Sequence, residues 1–483
     1  MRSPGLGVVE GRAVQSRRDQ LQAYRFVNRR ALAALVSGEP DVIDPPMRRL
    51  TITTISGIMI AILIAVGFAL FGVIKPSQGD KWKAAGSIIV ERETAARYIY
   101  VDNVLHPVLN YSSAVLAVST NSKPKVVFVD RSDLKNVKRG PAVGIDGVPD
   151  SLPSAKNLIS SPWTVCSRQS GDSDQLNARV SVTVGTAAGA QPVAADRAVV
   201  VRSASGGTPY LLWQGQRLAI GSTKVAASLS LQTAQTVLVG TAFLDAIPPG
   251  PALRAPTIPS AGQRWTTSVS NRFPIVGQLL HITDEDTYYV VLADGVAPVN
   301  LVQKKLLETL PIGPNRTFLP AIETPNNVAL NLPQSPNDSK TVATQFNGLP
   351  ATVPPLIDSA WENGGICATY PGGSAKATFG VPATLLPAFR EGKVVESLAS
   401  SQGLTDEVVL GPGRAALVKA SDGSATVFVV AEPGKKFAVT SAEVLTGFGY
   451  DHVTPVALPV QLLPMLPTGP ALDPAAARRQ ITG

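Results

Sequence analysis

Residues 50–74, LTITTISGIMIAILIAVGFALFGVI, contain no charged side chain. At about 1.5 Å of rise per residue the run crosses the ~30 Å hydrocarbon core of a bilayer as a helix. Only a helix satisfies its own backbone N–H and C=O groups there. The chain continues Lys75-Pro76-Ser77-Gln78-Gly79, with no small-residue cleavage pattern, so the segment reads as a retained anchor. Upstream, Leu21, Tyr24, Val27, Ala31, Ala34 and Leu35 recur at helical spacing, while Arg25, Arg29 and Arg30 fall on other faces. That pattern predicts an amphipathic helix over residues 17–37, stopped by Ser37-Gly38 and Pro40 and set apart from the span by Pro45-Pro46. Residues 1–16 carry no periodicity.

Beyond the span the pattern shortens to paired strands. Four segments share one grammar of strand, turn, second strand and helix-like run. The first covers residues 98–110 and then 111–116; the third covers 289–300 and then 301–307. Asp102-Asn103 and Asp294-Gly295 read as their hairpin turns, and a Pro-Val pair recurs at Pro107-Val108 and Pro298-Val299. Weaker copies lie at residues 210–220 and 427–439, with Gln214-Gly215 and Pro433-Gly434 in the turns and helical runs at 224–231 and 441–445. The copies follow no fixed period, which excludes a solenoid. Two long stretches separate unit one from two and three from four, and each holds one cysteine.

These features predict an α+β protein with a cytoplasmic tail (residues 1–49) and a transmembrane helix (50–74). Repeat unit 1 (75–120) follows, then the first part of a central β-rich module (121–196) and units 2 (197–255) and 3 (256–316). The second part of the module (317–407), unit 4 (408–454) and a proline-rich strap (455–483) complete the chain. The strap alternates Pro455, Pro459, Pro464, Pro467, Pro470 and Pro474 with apolar residues. It is expected to be extended and to pack, through Leu462, Leu463, Met465 and Leu466, on its own body or on a neighbour.

Charge sets the orientation. Nine arginines lie in the tail, Arg48-Arg49 abutting the span, against Lys75, Lys81 and Lys83 on the far flank. Basic residues stay inside, so the tail is cytoplasmic and the bulk extracytoplasmic. Charged residues make up 16% and hydrophobic ones 45% of the chain, which speaks for a folded body. The net charge of +8 comes without any nucleic-acid-binding motif, and anionic membrane lipid accounts for it. An even cysteine count on the oxidising side suggests a Cys166–Cys367 disulfide, with two buried thiols as the alternative. Within the span Gly57, Ala61, Ala65 and Ala69 form a small-residue stripe suited to helix packing. The tail helix either lies in the interface, docks on a cytoplasmic partner or stays solvated.

No reaction is called for. The chain lacks a G-x-x-x-x-G-K-[ST] loop and a G-x-S-x-G elbow. Its three histidines, His106, His281 and His452, lie in different units without zinc-ligand spacing, and Asp284-Glu285-Asp286 lacks that of a calcium loop and reads as a solvated turn. Neither a cofactor nor a metal site is expected.

The tail RDQLQAYRFVNRR (residues 18–30), the single span, GSIIVERETAARYIY (86–100) with LHPVLN (105–110), WTVC (163–166), residues 289–300 and the proline-rich end together resemble the EccB family. These are membrane-core components of type VII (ESX) secretion systems in actinobacteria, and the resemblance spans nearly the whole chain. It implies a scaffolding or conducting role beside EccC, EccD, EccE, the mycosin protease and further copies of the chain, with EccC as the ATPase motor. It also implies four repeat domains around a disulfide-bearing centre. Tyr24, Phe26, Arg29 and Arg30 are then the expected cytoplasmic docking residues. ATP hydrolysis has been attributed to EccB-type proteins and is the enzymatic alternative, although no motif here supports it; a membrane-anchored cell-wall binding module is a third reading.

Overall fold

The computed structural model describes residues 17–38, 46–73, 79–119, 122–170, 177–185, 190–312, 318–337, 342–357, 365–372, 376–382 and 403–481. Residues 1–16, Pro40, Pro45 and Lys75 lie outside them, as does much of residues 358–402. Two units emerge, Met1–Asp80 and Lys81–Gly483.

The first unit holds α1 (Arg17–Ser37) and α2 (Pro46–Val73). α2 starts before the uncharged run because the fixed φ of Pro46 suits a first helical turn. Its apolar part, Leu50–Ala69, is long enough to cross a bilayer, and none of it is covered by protein. The Thr54 hydroxyl donates to the Leu50 carbonyl at 2.8 Å, so the helix satisfies this polar side chain internally.

The second unit begins with β1 (Ser87–Glu91), the hairpin β2 (Arg97–Val101) and β3 (Val104–Pro107), helix α3 (Tyr111–Val118) and β4 (Lys125–Val129). β4 returns parallel to β1, giving the order β3-β2-β1-β4. β5 (Trp163–Ser170), β6 (Asn177–Val184) and β7 (Ala190–Pro192) follow. The first pattern then recurs in β8 (Val199–Ser203), β9 (Tyr210–Trp213), β10 (Gln216–Ala219), α4 (Thr223–Ser228) and β11 (Thr236–Val239), after which comes α5 (Thr241–Ala246). It recurs again in β12 (Leu279–Ile282), β13 (Thr287–Leu292), β14 (Gly295–Val299), α6 (Leu301–Leu307) and β15 (Ile322–Thr324), followed by α7 (Asn326–Ala329). β16 (Gly365–Tyr370), β17 (Thr378–Pro382) and β18 (Glu407–Val409) precede the last copy. That copy comprises β19 (Ala415–Ala420), β20 (Val427–Ala431), β21 (Lys435–Val439), α8 (Ala442–Phe448) and β22 (Val456–Leu458). All four small sheets have the same order, with the last strand parallel to the first.

Local chemistry explains the repetition. Asp102 and Asn103 adopt φ of 50° and 61°, the left-handed turn that Asn and Asp tolerate. The strand pair then ends on a helix cap. The Asn110 carboxamide accepts from Ser113 N at 2.8 Å, and Asn300 and Gln303 form a reciprocal capping box. Such caps contribute about 1 kcal/mol each. The third hairpin departs from expectation. Its turn residues are Ala293 and Asp294, and Gly295 opens β14. Gly295 is needed for space: a Cβ there would lie 2.5 Å from the Ser335 backbone nitrogen.

The strap is not simply extended. Pro455 and Pro459 bracket β22, which needs partners on one side only, so proline is tolerated around it. Short helices α9 (Leu462–Met465) and α10 (Pro474–Ala477) follow, with Pro474 in the first turn of α10 behind an Asp473 cap. Leu462, Leu463, Met465 and Leu466 are buried in the chain's own core. Lys436 Nζ donates to the Leu463 carbonyl, and burial lowers the pKa of that lysine.

Cores run continuously between sheets. One joins Ile88, Ile99 and Leu116 of the first copy to Leu417, Val429, Phe437 and Tyr450 of the fourth. Another joins Leu211 and Leu218 of the second to Val290, Val302 and Leu306 of the third. A third links the central sheet to the second and fourth copies and to α9. The copies therefore pair one with four and two with three, on either side of the centre.

The turn glycines seat this arrangement. Gly215 (φ 75°) would place a Cβ 2.5 Å from the Ala377 carbonyl oxygen, and Gly434 (φ 82°) would place one 2.9 Å from Val408. Both neighbours belong to the central module, so copies two and four meet it through equivalent turns. Gly215→Ala combines a strained left-handed φ with a backbone clash, and the expected loss is about 1–3 kcal/mol. Thermal unfolding of the variant checks this; an unchanged midpoint would contradict the close approach.

Candidate functional site

α1 carries Arg17, Arg18, Arg25, Arg29 and Arg30 and a single acid, Asp19. At about 100° per residue, Tyr24 shares a face with Leu21, Val27, Ala31 and Leu35. Phe26 projects from the opposite side, with Arg29 and Arg30 on its two flanks. The four expected docking residues are all exposed but do not form one patch. Leu21, Tyr24, Val27 and Leu35 are exposed as well, and Ala33, which is buried, lies on the Phe26 side. Along α2, Gly57, Ala61, Ala65 and Ala69 form one inclined ridge, exposed throughout. A second helix could approach closely along it.

The central sheet has the order β18-β6-β5-β16-β17-β7, so its middle strands come from segments about 200 residues apart. Cys166 and Cys367 stand directly opposite on β5 and β16, with Cα atoms 4.0 Å apart, and form the disulfide. Both are buried. Beside them the Thr164 and Thr369 hydroxyls lie 3.2 Å apart. The opposite face sends Trp163, Val165, Ile366 and Ala368 into the core shared with the neighbouring copies. A staple at this point fixes the junction between the two pairs.

One titratable cluster was not legible beforehand. His281 Nδ1 lies 2.8 Å from Glu323 Oε2 and Nε2 lies 2.9 Å from Asp286 Oδ1, while the ring stacks on Tyr288 at 4.5 Å. Asp284 and Glu285 accept from the backbone and side chain of Asn326. The acidic turn is therefore a clasp between the β12–β13 hairpin and β15, not a purely solvated loop. Burial alone would lower the His281 pKa, but the hydrogen bonds and charges of Asp286 and Glu323 outweigh it and raise the value above 6.5. A raised folded-state pKa gives stability that is complete below about pH 6.5 and is lost as pH climbs through the higher folded value. The β12–β15 edge is expected to loosen on that climb, and His281→Gln should abolish the dependence. Hydrogen exchange across pH, corrected for intrinsic rates, reads both.

His106 Nδ1 instead meets the Pro141 carbonyl at 3.0 Å, a structural contact. Among the described residues no group of three or more His, Cys, Asp or Glu side chains is placed to hold a metal. What the described residues offer is exposed faces on α1 and α2 and a set of sheets joined by shared cores and a disulfide.

Residues 13–482 match the family model described as "Type VII secretion system ESX-1, transport TM domain B", the EccB model. The chain belongs to the EccB family. This EccB chain is thus a membrane component of an ESX type VII secretion system. It is 28% identical over 490 residues to the ESX-3 secretion system ATPase EccB3 of Mycolicibacterium smegmatis, covering 94% of this chain and 89% of that one. A chain in the structure of an intact ESX-5 inner membrane complex aligns with a TM-score of 0.65 and 26% identity, covering 99% of this chain and 97% of the other. A chain of the periplasmic assembly from the ESX-5 inner membrane complex gives a TM-score of 0.62 at 26% identity over 85% of this EccB and 99% of its counterpart.

Proposed function

We propose that this EccB is a structural scaffold of the ESX inner membrane complex, anchored by α2 with its tail in the cytoplasm and its second unit outside. EccC, EccD, EccE, the mycosin protease, further copies of the chain and membrane lipid are its partners. The observation that carries this reading is the run of shared cores through four copies and a stapled centre. Such a frame ties the four copies to one another through the central sheet. Phe26, Arg29 and Arg30 dock on cytoplasmic components, and the ridge of Gly57, Ala61, Ala65 and Ala69 holds α2 against neighbouring helices.

Mild detergent extraction from the native membrane tests the scaffold. Recovery of the chain in a large particle with EccC, EccD and EccE is the expected result. Recovery alone, from cells that express those partners, would sink it. The EccB3 relative is named an ATPase, which makes ATP turnover the competing reading. Turnover that persists through rigorous purification and vanishes on replacing one residue would favour that reading.

A further inference from the structure

We infer that the apolar face of α1 lies in the membrane interface on anionic lipid headgroups, leaving the Phe26 face turned to the cytoplasm. The inference rests on the cytoplasmic placement of the tail proposed above. Three observations support it. The stripe of Leu21, Tyr24, Val27, Ala31 and Leu35, interrupted by Arg17, Gln20 and Asn28, is left uncovered, whereas Ala33, which is buried, sits on the far side. By helical phase Arg18 and Arg25 lie along one border of this stripe and Arg17 falls within it at the helix start, whereas Arg29 and Arg30 lie further round, on the two flanks of Phe26. Long side chains at the stripe's border reach outward to headgroup phosphates while the stripe sinks below them. Five arginines against one aspartate give the helix the charge that an acidic leaflet attracts.

Chain length fits as well. Residues 38–45 separate the end of α1 from the start of α2, which at roughly 3.5 Å per residue allows no more than about 30 Å of separation. α1 is therefore tethered within reach of the surface that α2 enters. Two opposite faces also resolve why Tyr24 and Phe26 do not share a patch. Tyr24 belongs to the lipid side and Phe26, with Arg29 and Arg30 beside it, to the protein side.

The test uses the full-length chain reconstituted in vesicles, spin-labelled singly at Val27→Cys, Leu35→Cys or Gln22→Cys. Collision with oxygen reports immersion and collision with a water-soluble nickel chelate reports solvation. In phosphatidylcholine containing phosphatidylglycerol, labels at Val27 and Leu35 are expected to favour oxygen and the label at Gln22 to favour nickel. Omitting phosphatidylglycerol or adding molar salt should reverse the first two, because the headgroup attraction is screened. Arg18→Gln and Arg25→Gln should each shift the immersed-to-solvated ratio about fivefold. Equal nickel access at all three sites in both lipids would overturn the inference. So would stripe labels shielded from both reagents, the signature of a protein partner. Co-purification with EccC and EccD reads the docking proposal separately, so either idea can fail without the other.

Discussion

Deleting residues 17–40 is expected to reduce ESX secretion to background while the chain stays in the membrane fraction at its normal level. The deletion removes α1 and leaves α2 whole, so the Leu50–Ala69 anchor is untouched. None of the three large cores of the second unit contains an α1 residue, and the outer frame keeps its packing. The loss would therefore fall on assembly and not on folding. Phe26→Ala with Arg29→Ala and Arg30→Ala separates the two faces of the helix. It should weaken secretion and co-purification with EccC and EccD while leaving the Val27 and Leu35 labels immersed. Secretion of substrates at the parental rate from the deletion strain would contradict the docking role outright.

What could be read from the sequence was local. The hairpin at Asp102-Asn103 and the helix start at Asn110 are set by neighbours a few residues away, through turn φ and cap hydrogen bonds. The fourth strand of each sheet was missed for the opposite reason. Val126 pairs with Ile88 and Val456 with Val418 only after a crossover, and strands of three to five residues have too little pattern to announce themselves. β4, β15 and β22 thus lie past residues 120, 316 and 454, where their units had been expected to end. Proline density was misleading in the strap because Pro455 and Pro459 sit at the ends of an edge strand and Pro474 in a first helical turn. His281 was judged singly. Its partner Glu323 lies 42 residues away, and only the parallel pairing of β12 with β15 brings the two together.

The same distinction explains the glycines. Gly215 and Gly434 stand in their expected turns with positive φ and carry a second duty besides. Each lets a hairpin press its backbone against the central module, a tertiary demand with no local signature. Gly295 shows that demand alone, since it lies in a strand without positive φ. A glycine next to an acidic residue between two apolar runs therefore signals a hairpin near that position without fixing the turn's register.

Replacing both Cys166 and Cys367 by alanine is expected to cost up to about 5 kcal/mol, the chain-entropy value for a loop of 201 residues. Against a typical total of roughly 5–15 kcal/mol this is a large share. Alanine is preferred to serine because both sites are buried and a hydroxyl there would need a partner. The position of the staple decides what is lost. Copies two and three lie within the closed loop, copies one and four outside it. β5 and β16 are the adjacent strands through which the chain leaves toward the second copy and returns from the third, and their pairing carries the full loop-closure cost. Hydrogen exchange should accordingly rise first along Trp163–Ser170 and Gly365–Tyr370, while the core shared by copies two and three stays protected longer. A melting midpoint within a degree of the parent's, with unchanged exchange at β5 and β16, would show that the strand ladder holds the frame without the bond. Secretion in that variant then separates rigidity from stability. If the frame must hold copies one and four at a fixed distance from two and three, export falls even where the protein still accumulates. Undiminished export from a destabilised variant would mean the complex itself supplies the missing constraint.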